Sequence, residues 1–479
     1  MFFKNQNLTK LTKGLIMIWF LVFGTAFIII LTGFIGFIGF QIKENQKELA
    51  INEAFQIAEA GLNFCRWRFV HDPENLNFSG IYEYRDPEGS LVGYYQLEII
   101  APSSCDSGIT IFSTGWKKGV DKIQRKLKIR YSKISLTQYA FLTDVNTWVG
   151  KKVEIKGPFH SNGGIRMDGE QNALFTSAKE TYICGLEHGC GRGNCKSPCT
   201  LITRQYCQCP GIWGEGEGGK KGLWQFPVAF VDFNTIIKDL AFLKEEAINR
   251  GIYLPQSGVY GYYLIFKSNG TVDVYMVTKL KSSVWGFDGT RIRYESDDVD
   301  LKVFYTNFSL GTQCGPIFIE DNVWVEGDVN GRTTVVAARL PETLASLRKI
   351  IIPNNINYIG KDSVLGLIAQ GDILIPFRSP DRLEIKAAFL TQRGKLLRYY
   401  YPPWYFEPYQ TYTRRNYIEI FGSIISKEMT VLSWVYTYGR VISGYETIKM
   451  SYDENLIYNP PPYFPTLNEN KIIKWEEIN

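Results

Sequence analysis

The chain has 479 residues and a formal net charge of +5, which is too weak a bias to call for nucleic acid or an acidic substrate. Aromatic residues make up 15% of it, with 29 Tyr and 30 Phe, and 44 Gly are present; that mixture favours β structure with many turns over a helical enzyme. Only three histidines occur (His71, His160 and His188), which leaves few general bases.

The first element is a basic leader, residues 1–13, carrying Lys4, Lys10 and Lys13. Residues 14–40 then run without a single Asp, Glu, Lys or Arg, longer than the roughly 20 apolar residues that cross a bilayer. The flanking lysines keep the N-terminus cytoplasmic and put the rest outside. A cleavable signal peptide is the competing reading, but the run is about twice the length of a signal core and no small-x-small site follows Phe40. The helical pattern continues through 41–70. Ile51, Ala54, Phe55, Ala58, Leu62, Cys65 and Phe69 recur at helical spacing, opposite Lys47, Glu48, Glu53, Glu59 and Arg66. Residues 14–70 therefore predict one helix about 85 Å long, apolar all round at first and amphipathic later, ending before Pro73.

Glu53-Ala54-Phe55-Gln56-Ile57-Ala58-Glu59-Ala60-Gly61-Leu62, behind a basic leader and an apolar helix, resembles the N-terminal helix of type IV pilin-like proteins. The match is nearest to PilX-like minor pilins, whose helix carries a similar Ala-Glu-Ala-Gly element, and it covers about 70 residues. The resemblance implies partner pilin subunits packed through this helix and makes Gly14 the candidate processing site. One position departs from the family: Trp19 stands where those proteins carry Glu five residues after the cut.

Residues 71–135 read as a small antiparallel sheet, with β-rich runs at 90–100, 109–113 and 122–131. Cys65 and Cys105 either form a bridge or remain two free thiols. From 136 to 430 short strands end repeatedly at Gly corners, as in 149–165, 323–331, 365–373 and 418–425, which predicts the coils of a β-solenoid, with a large β-sandwich as the alternative. The phrases Gly157-Pro158-Phe159-His160-Ser161-Asn162-Gly163-Gly164-Ile165 and Asn322-Val323-Trp324-Val325-Glu326-Gly327 also resemble envelope proteins in which a pilin-type helix precedes a β-helical body. His160 is expected at a coil corner. Two insertions interrupt this body. Residues 184–209 hold Cys184, Cys190, Cys195, Cys199, Cys207 and Cys209 without the paired knuckles of common zinc sites. Disulfides are the expectation in an exported protein, with 15 possible pairings, and His188 keeps a metal reading open. Residues 235–250 predict a helix lined by Ile236, Leu240, Leu243 and Ala247.

Three motifs invite chemical readings. Gly214 to Lys221 nearly matches a phosphate loop, but Lys221 replaces the hydroxyl residue, and a flexible surface loop is expected. Glu295, Asp297, Asp298 and Asp300 are expected to form a solvated acidic turn, with calcium as the alternative. Tyr399, Tyr400, Tyr401, Trp404, Tyr405, Arg414 and Arg415 combine rings with cations that could contact DNA or a polysaccharide, or else fold over the body. Residues 431–479 predict a hairpin and a stiff, Pro-rich tail.

These elements give a mainly β protein with a long N-terminal transmembrane helix and no resident cofactor. The function they indicate is that of a non-enzymatic, membrane-anchored or fibre-borne surface protein. An aromatic–arginine binding module is the alternative. An anchored carbohydrate-active enzyme is the weakest reading, since no local motif pairs two carboxylates at a set distance.

Overall fold

The computed structural model describes residues 8–72, 75–102, 108–191, 193, 195–216, 219–233, 240–312, 315–343, 347–403, 409–436 and 440–478. The chain is mainly β behind one long helix, and it divides into two compact units.

The first unit holds residues 1–101, 108–131 and 474–479. Its helix α1 runs unbroken over Leu8–His71, because no Pro and only isolated Gly interrupt it. From Ile16 to Leu49 no residue is buried. Beyond that point Ala50, Ala54, Ile57, Ala58, Leu62, Cys65 and Phe69 form a buried stripe at helical spacing. The stripe rests on an antiparallel sheet of β1 (Gly80–Arg85), β2 (Leu91–Ile100), β3 (Ile109–Lys117) and β4 (Gln124–Ser135). A fifth strand, Thr466–Ile478, lies beside β4, where Arg125 pairs with Glu477. This strand follows the Pro-rich stretch 459–465, and Ile472, Ile473, Trp475 and Ile478 supply its β character.

Helix and sheet approach closely enough to require glycine. A Cβ on Gly115 would lie 2.3 Å from the amide nitrogen of Ala58, and one on Gly61 would lie 2.4 Å from Ser113 Oγ. Ser113 Oγ in turn donates to the Ala58 carbonyl at 2.7 Å. Gly61, the weak point of the helix by propensity, is thus where the sheet touches it.

In the second unit (102–107 and 132–473), successive passes of the chain stack their short strands in parallel. One ladder runs Ile252, Ile317, Val335, Leu367, Phe389, Ile424, Phe141, Phe159, Phe175 and Trp224, each paired with the next. These side chains face one continuous apolar core, with the Phe141 and Phe159 rings stacked at 4.5 Å. A second ladder passes through Tyr262, Val323, Ile350, Ile373 and Leu396. A third passes through Ile356, Ile385, Ile420, Met450 and Ile155. No single pass covers its own apolar stripe; each is covered by its neighbours.

The order in space is not the order in sequence. Residues 141–225 build one end of the stack and the chain then returns to Ile252 at the other end. The second run climbs back until strand Arg414–Ser426 meets Phe141–Thr143. Lys427 closes that joint by an ion pair to Asp144. Helix Leu240–Arg250 belongs to the return path, with Leu240, Leu243 and Ala247 packed in the same cluster as Phe318, Val336 and Ile368. Its expected first residues, 235–239, lie outside the described residues.

One excursion departs from the parallel stacking. Tyr262–Phe266, Thr271–Leu280 and Val299–Ser309 form an antiparallel sheet, and Val284–Phe287 pairs with Ile292–Glu295 as a hairpin.

Candidate functional site

The surface with the most evident physical consequence is the first half of α1. Trp19, Phe20, Phe27, Ile29, Ile30 and Phe34 are each more than half exposed, and the helix qualifies by length and composition to cross a membrane. Such a continuous greasy cylinder is far larger than the apolar patches soluble proteins tolerate. Thr25 and Thr32 turn their hydroxyls back to carbonyls one turn earlier, at 2.9 and 2.8 Å, so these two hydroxyls are satisfied within the helix. Gly24, Gly33, Gly36 and Gly39 have nothing within 4 Å of an added Cβ. The side chain of Gly14's neighbourhood lies outside the described region, so the processing candidate is placed on the helix by its backbone alone.

The six clustered cysteines come together in a second feature. Cys184 joins Cys190, Cys195 joins Cys207 and Cys199 joins Cys209. Strand Cys207–Pro210 lies between Thr181–Cys184 and Thr200–Leu201, so the bridges staple a three-stranded patch whose core is mostly the bridges themselves and Trp213. The sulfurs of Cys184, Cys190 and Cys209 lie within 4.8 Å of one another, but as bridge sulfurs they are not thiolate ligands. His188 is held elsewhere, with Nε2 3.1 Å from the Asn146 carbonyl. Beneath the patch Arg166 is buried between the rings of Trp148 and Trp213, at 4.8 and 5.0 Å. It donates to Asp168 at 2.8 Å and to the His188 carbonyl at 2.8 Å. Sequence reasoning missed this clamp; the Trp148 and Trp213 indoles flanking one Arg are visible only once the ladder is formed.

Several expectations need correction. His160 is not at a corner: it is the middle residue of strand Phe159–Ser161. It is buried, with Nδ1 2.9 Å from Thr176 Oγ1 and Nε2 3.1 Å from Asn162 Oδ1. Burial lowers its pKa, and the Asn162 contact opposes that only in part. The Gly214 loop lies at the surface, with Lys220 and Lys221 exposed, but its start packs closely: added Cβ atoms on Gly214 and Gly216 would collide with the Met167 and Asp168 carbonyls.

The acidic cluster is neither a solvated turn nor an open oxygen cage. Lys349 lies 3.3 Å from Glu295 and 3.8 Å from Asp297, and Arg378 contacts Asp298 at 2.9 Å. Asp300 pairs with Lys279 at 2.6 Å. Burial raises the Asp297 carboxyl to about 6, against the opposing pull of Lys349. Burial also works to raise Glu295, but Lys349, Tyr399 and Arg293 outweigh it and hold that carboxyl below its usual range. Local sequence could not show this, because Lys349 and Arg378 arrive from later passes of the chain.

The aromatic–arginine segment is mostly interior. Tyr399, Tyr401 and Arg415 are buried, whereas Tyr400 is half-buried and Arg414 exposed; Trp404 and Tyr405 lie outside the described residues. Arg398 is fully buried and spends its guanidinium on the carbonyls of Pro376, Phe377 and Tyr412. Cys65 is buried and unbridged, and burial pushes its thiol up to about 12; Cys105, its candidate partner, lies outside the described residues.

No family model matches the chain, and no curated protein matches it either. Among solved structures, it is similar to the competence-associated pilin ComZ from Thermus thermophilus at 13% identity, over 90% of this chain and 97% of that one. The TM-score is 0.28, too low for that likeness to carry any part of the reading below.

Proposed function

We propose that this is a non-enzymatic, pilin-like surface protein. Its helix α1 sits in the cytoplasmic membrane or in the core of a type IV pilus-like fibre, beside other pilin-like subunits. The β-rich remainder, which we read as a β-solenoid behind a pilin-type sheet, is displayed outside for structure or adhesion. The observation that supports this best is the contrast along one helix. Residues 16–49 bury nothing within the chain, whereas the stripe from Ala50 to Phe69 is buried on a sheet. An exposed apolar cylinder is stable only where water is excluded, in lipid or among like helices. The three disulfides of the cysteine cluster suit an exported domain.

Mass spectrometry of the mature N-terminus separates the two anchoring modes. A chain beginning at Leu15 is a processed subunit, and one beginning at Met1 is a permanent anchor. A chain beginning beyond Phe40 contradicts both.

A further inference from the structure

The hairpin formed by Val284–Phe287 and Ile292–Glu295 has its polarity reversed. Strand residues alternate between faces. Val284, Gly286, Arg293 and Glu295 point inward, and a Cβ on Gly286 would lie 3.2 Å from the Tyr399 side chain. Arg293 and Glu295 on that inner face join the Lys349 network. The outer face carries Trp285, Phe287, Ile292 and Tyr294 instead. Trp285, Ile292 and Tyr294 are 50%, 69% and 62% exposed. Trp285 and Tyr294 are direct cross-strand partners with ring centroids 5.1 Å apart.

The aromatic surface continues past the hairpin. Phe287 and Tyr400 exchange two backbone hydrogen bonds of 2.9 Å, and Trp434 packs on both, at 5.8 and 6.0 Å between centroids. Trp285 and Phe287, two residues apart on one strand face, stand about 7 Å apart along it. The display is rigid. Asp288 accepts from the amides of Thr290 and Arg291 at 2.7 and 2.9 Å and from Arg293 Nε at 2.7 Å, which locks the turn. Little ordering entropy is left to lose on binding.

We propose that this outward face binds a neutral polysaccharide, whose flat sugar rings lie on successive aromatic faces. The charges favour that occupant over a nucleic acid. Arg293 is committed to Asp288 and Glu295, Lys349 to Glu295 and Asp297, and Lys395 to Glu428. Arg291 is the one hairpin cation without an acidic partner among the described residues, whereas a phosphate backbone calls for several uncommitted cations. A neutral chain of rings needs only the stacking faces and the polar rim.

The test is co-sedimentation of the full-length, detergent-solubilised protein with insoluble cellulose, chitin and β-1,3-glucan, alongside a gel shift with single-stranded DNA in the same detergent. Retention by at least one polysaccharide is expected. It should fall roughly ten-fold or more in the W285A/Y294A double variant, through loss of two stacking faces. W285F/Y294F should keep most of it, and Tyr206→Ala, an exposed ring of the cysteine-rich patch, all of it. Circular dichroism checks that the variants are folded. Retention by none of the three polysaccharides, or equal retention by the alanine variant, overturns the proposal. So does DNA binding, or self-association, that is lost in that variant while polysaccharide is ignored.

Discussion

Helix α1 is continuous from Leu8 to His71, yet its two halves obey different rules. In the second half every large apolar residue of the stripe finds its partner in the same chain: Phe69 stacks on Tyr131 at 5.1 Å, and Ala54 and Ala58 meet the backbone at Gly115. In the first half Trp19 stacks on Phe23 at 5.5 Å within the helix itself, and the rest of the surface is left open. One half is stabilised by its own sheet and the other depends on a medium. The difference separates, along a single rod, the half that folds with its own sheet from the half that the chain leaves uncovered.

The largest effect expected from breaking this arrangement is on solubility. Removing residues 1–40 should move the protein from the detergent extract to the aqueous supernatant, with its β-sheet circular dichroism intact. Persisting aggregation of that fragment would mean that the second half also needs an external partner.

Next in size is a matched pair of glycine substitutions. Gly61→Leu drives a side chain into Ser113 and Tyr95 and should destabilise by about 1–3 kcal/mol. Gly36→Leu has open space and should leave the melting temperature of the head unchanged. Equal effects would erase the distinction between the two halves. Ser113→Ala, which leaves the Ala58 carbonyl without its side-chain donor, should cost about 1 kcal/mol in the same melts.

The last expected effect is confined to alkaline pH and concerns Cys65, whose thiol is raised from its ordinary 9.0 to about 12 by burial. The folded chain holds this proton longer than the unfolded chain. The associated stability is therefore complete below pH 9 and is lost as pH rises from 9 towards 12. Alkylation of Cys65 at pH 9 should be slow in the native protein and fast in denaturant. Fast native labelling would show the stripe to be open.

The sequence made α1 legible because composition alone defines its first half and periodicity its second. The Gly-punctuated strands were legible as a stacked β body for a similar local reason: each carries its own stripe. The order of stacking was not, because nothing near Phe141 indicates that its neighbours are Ile424 and Phe159, residues from distant passes. The same non-locality hid the cations that neutralise Glu295, Asp297 and Asp298. It also left open whether Tyr399 and Tyr401 face outward or fold over the body; they are buried, with the hairpin residue Gly286 and the buried Arg398 against them. The strands around 285 and 294 did hold a readable signal. Trp285 and Phe287 flank Gly286, and Ile292 and Tyr294 alternate with Arg293 and Glu295, which marks one face as apolar without saying that it points outward.

Alkaline carbonate extraction of cells producing the native protein tests the anchoring most directly. The greasy half of α1 should hold the whole chain in the pelleted membranes or fibres, with release only by detergent. Recovery in the carbonate supernatant as a monomer would contradict it.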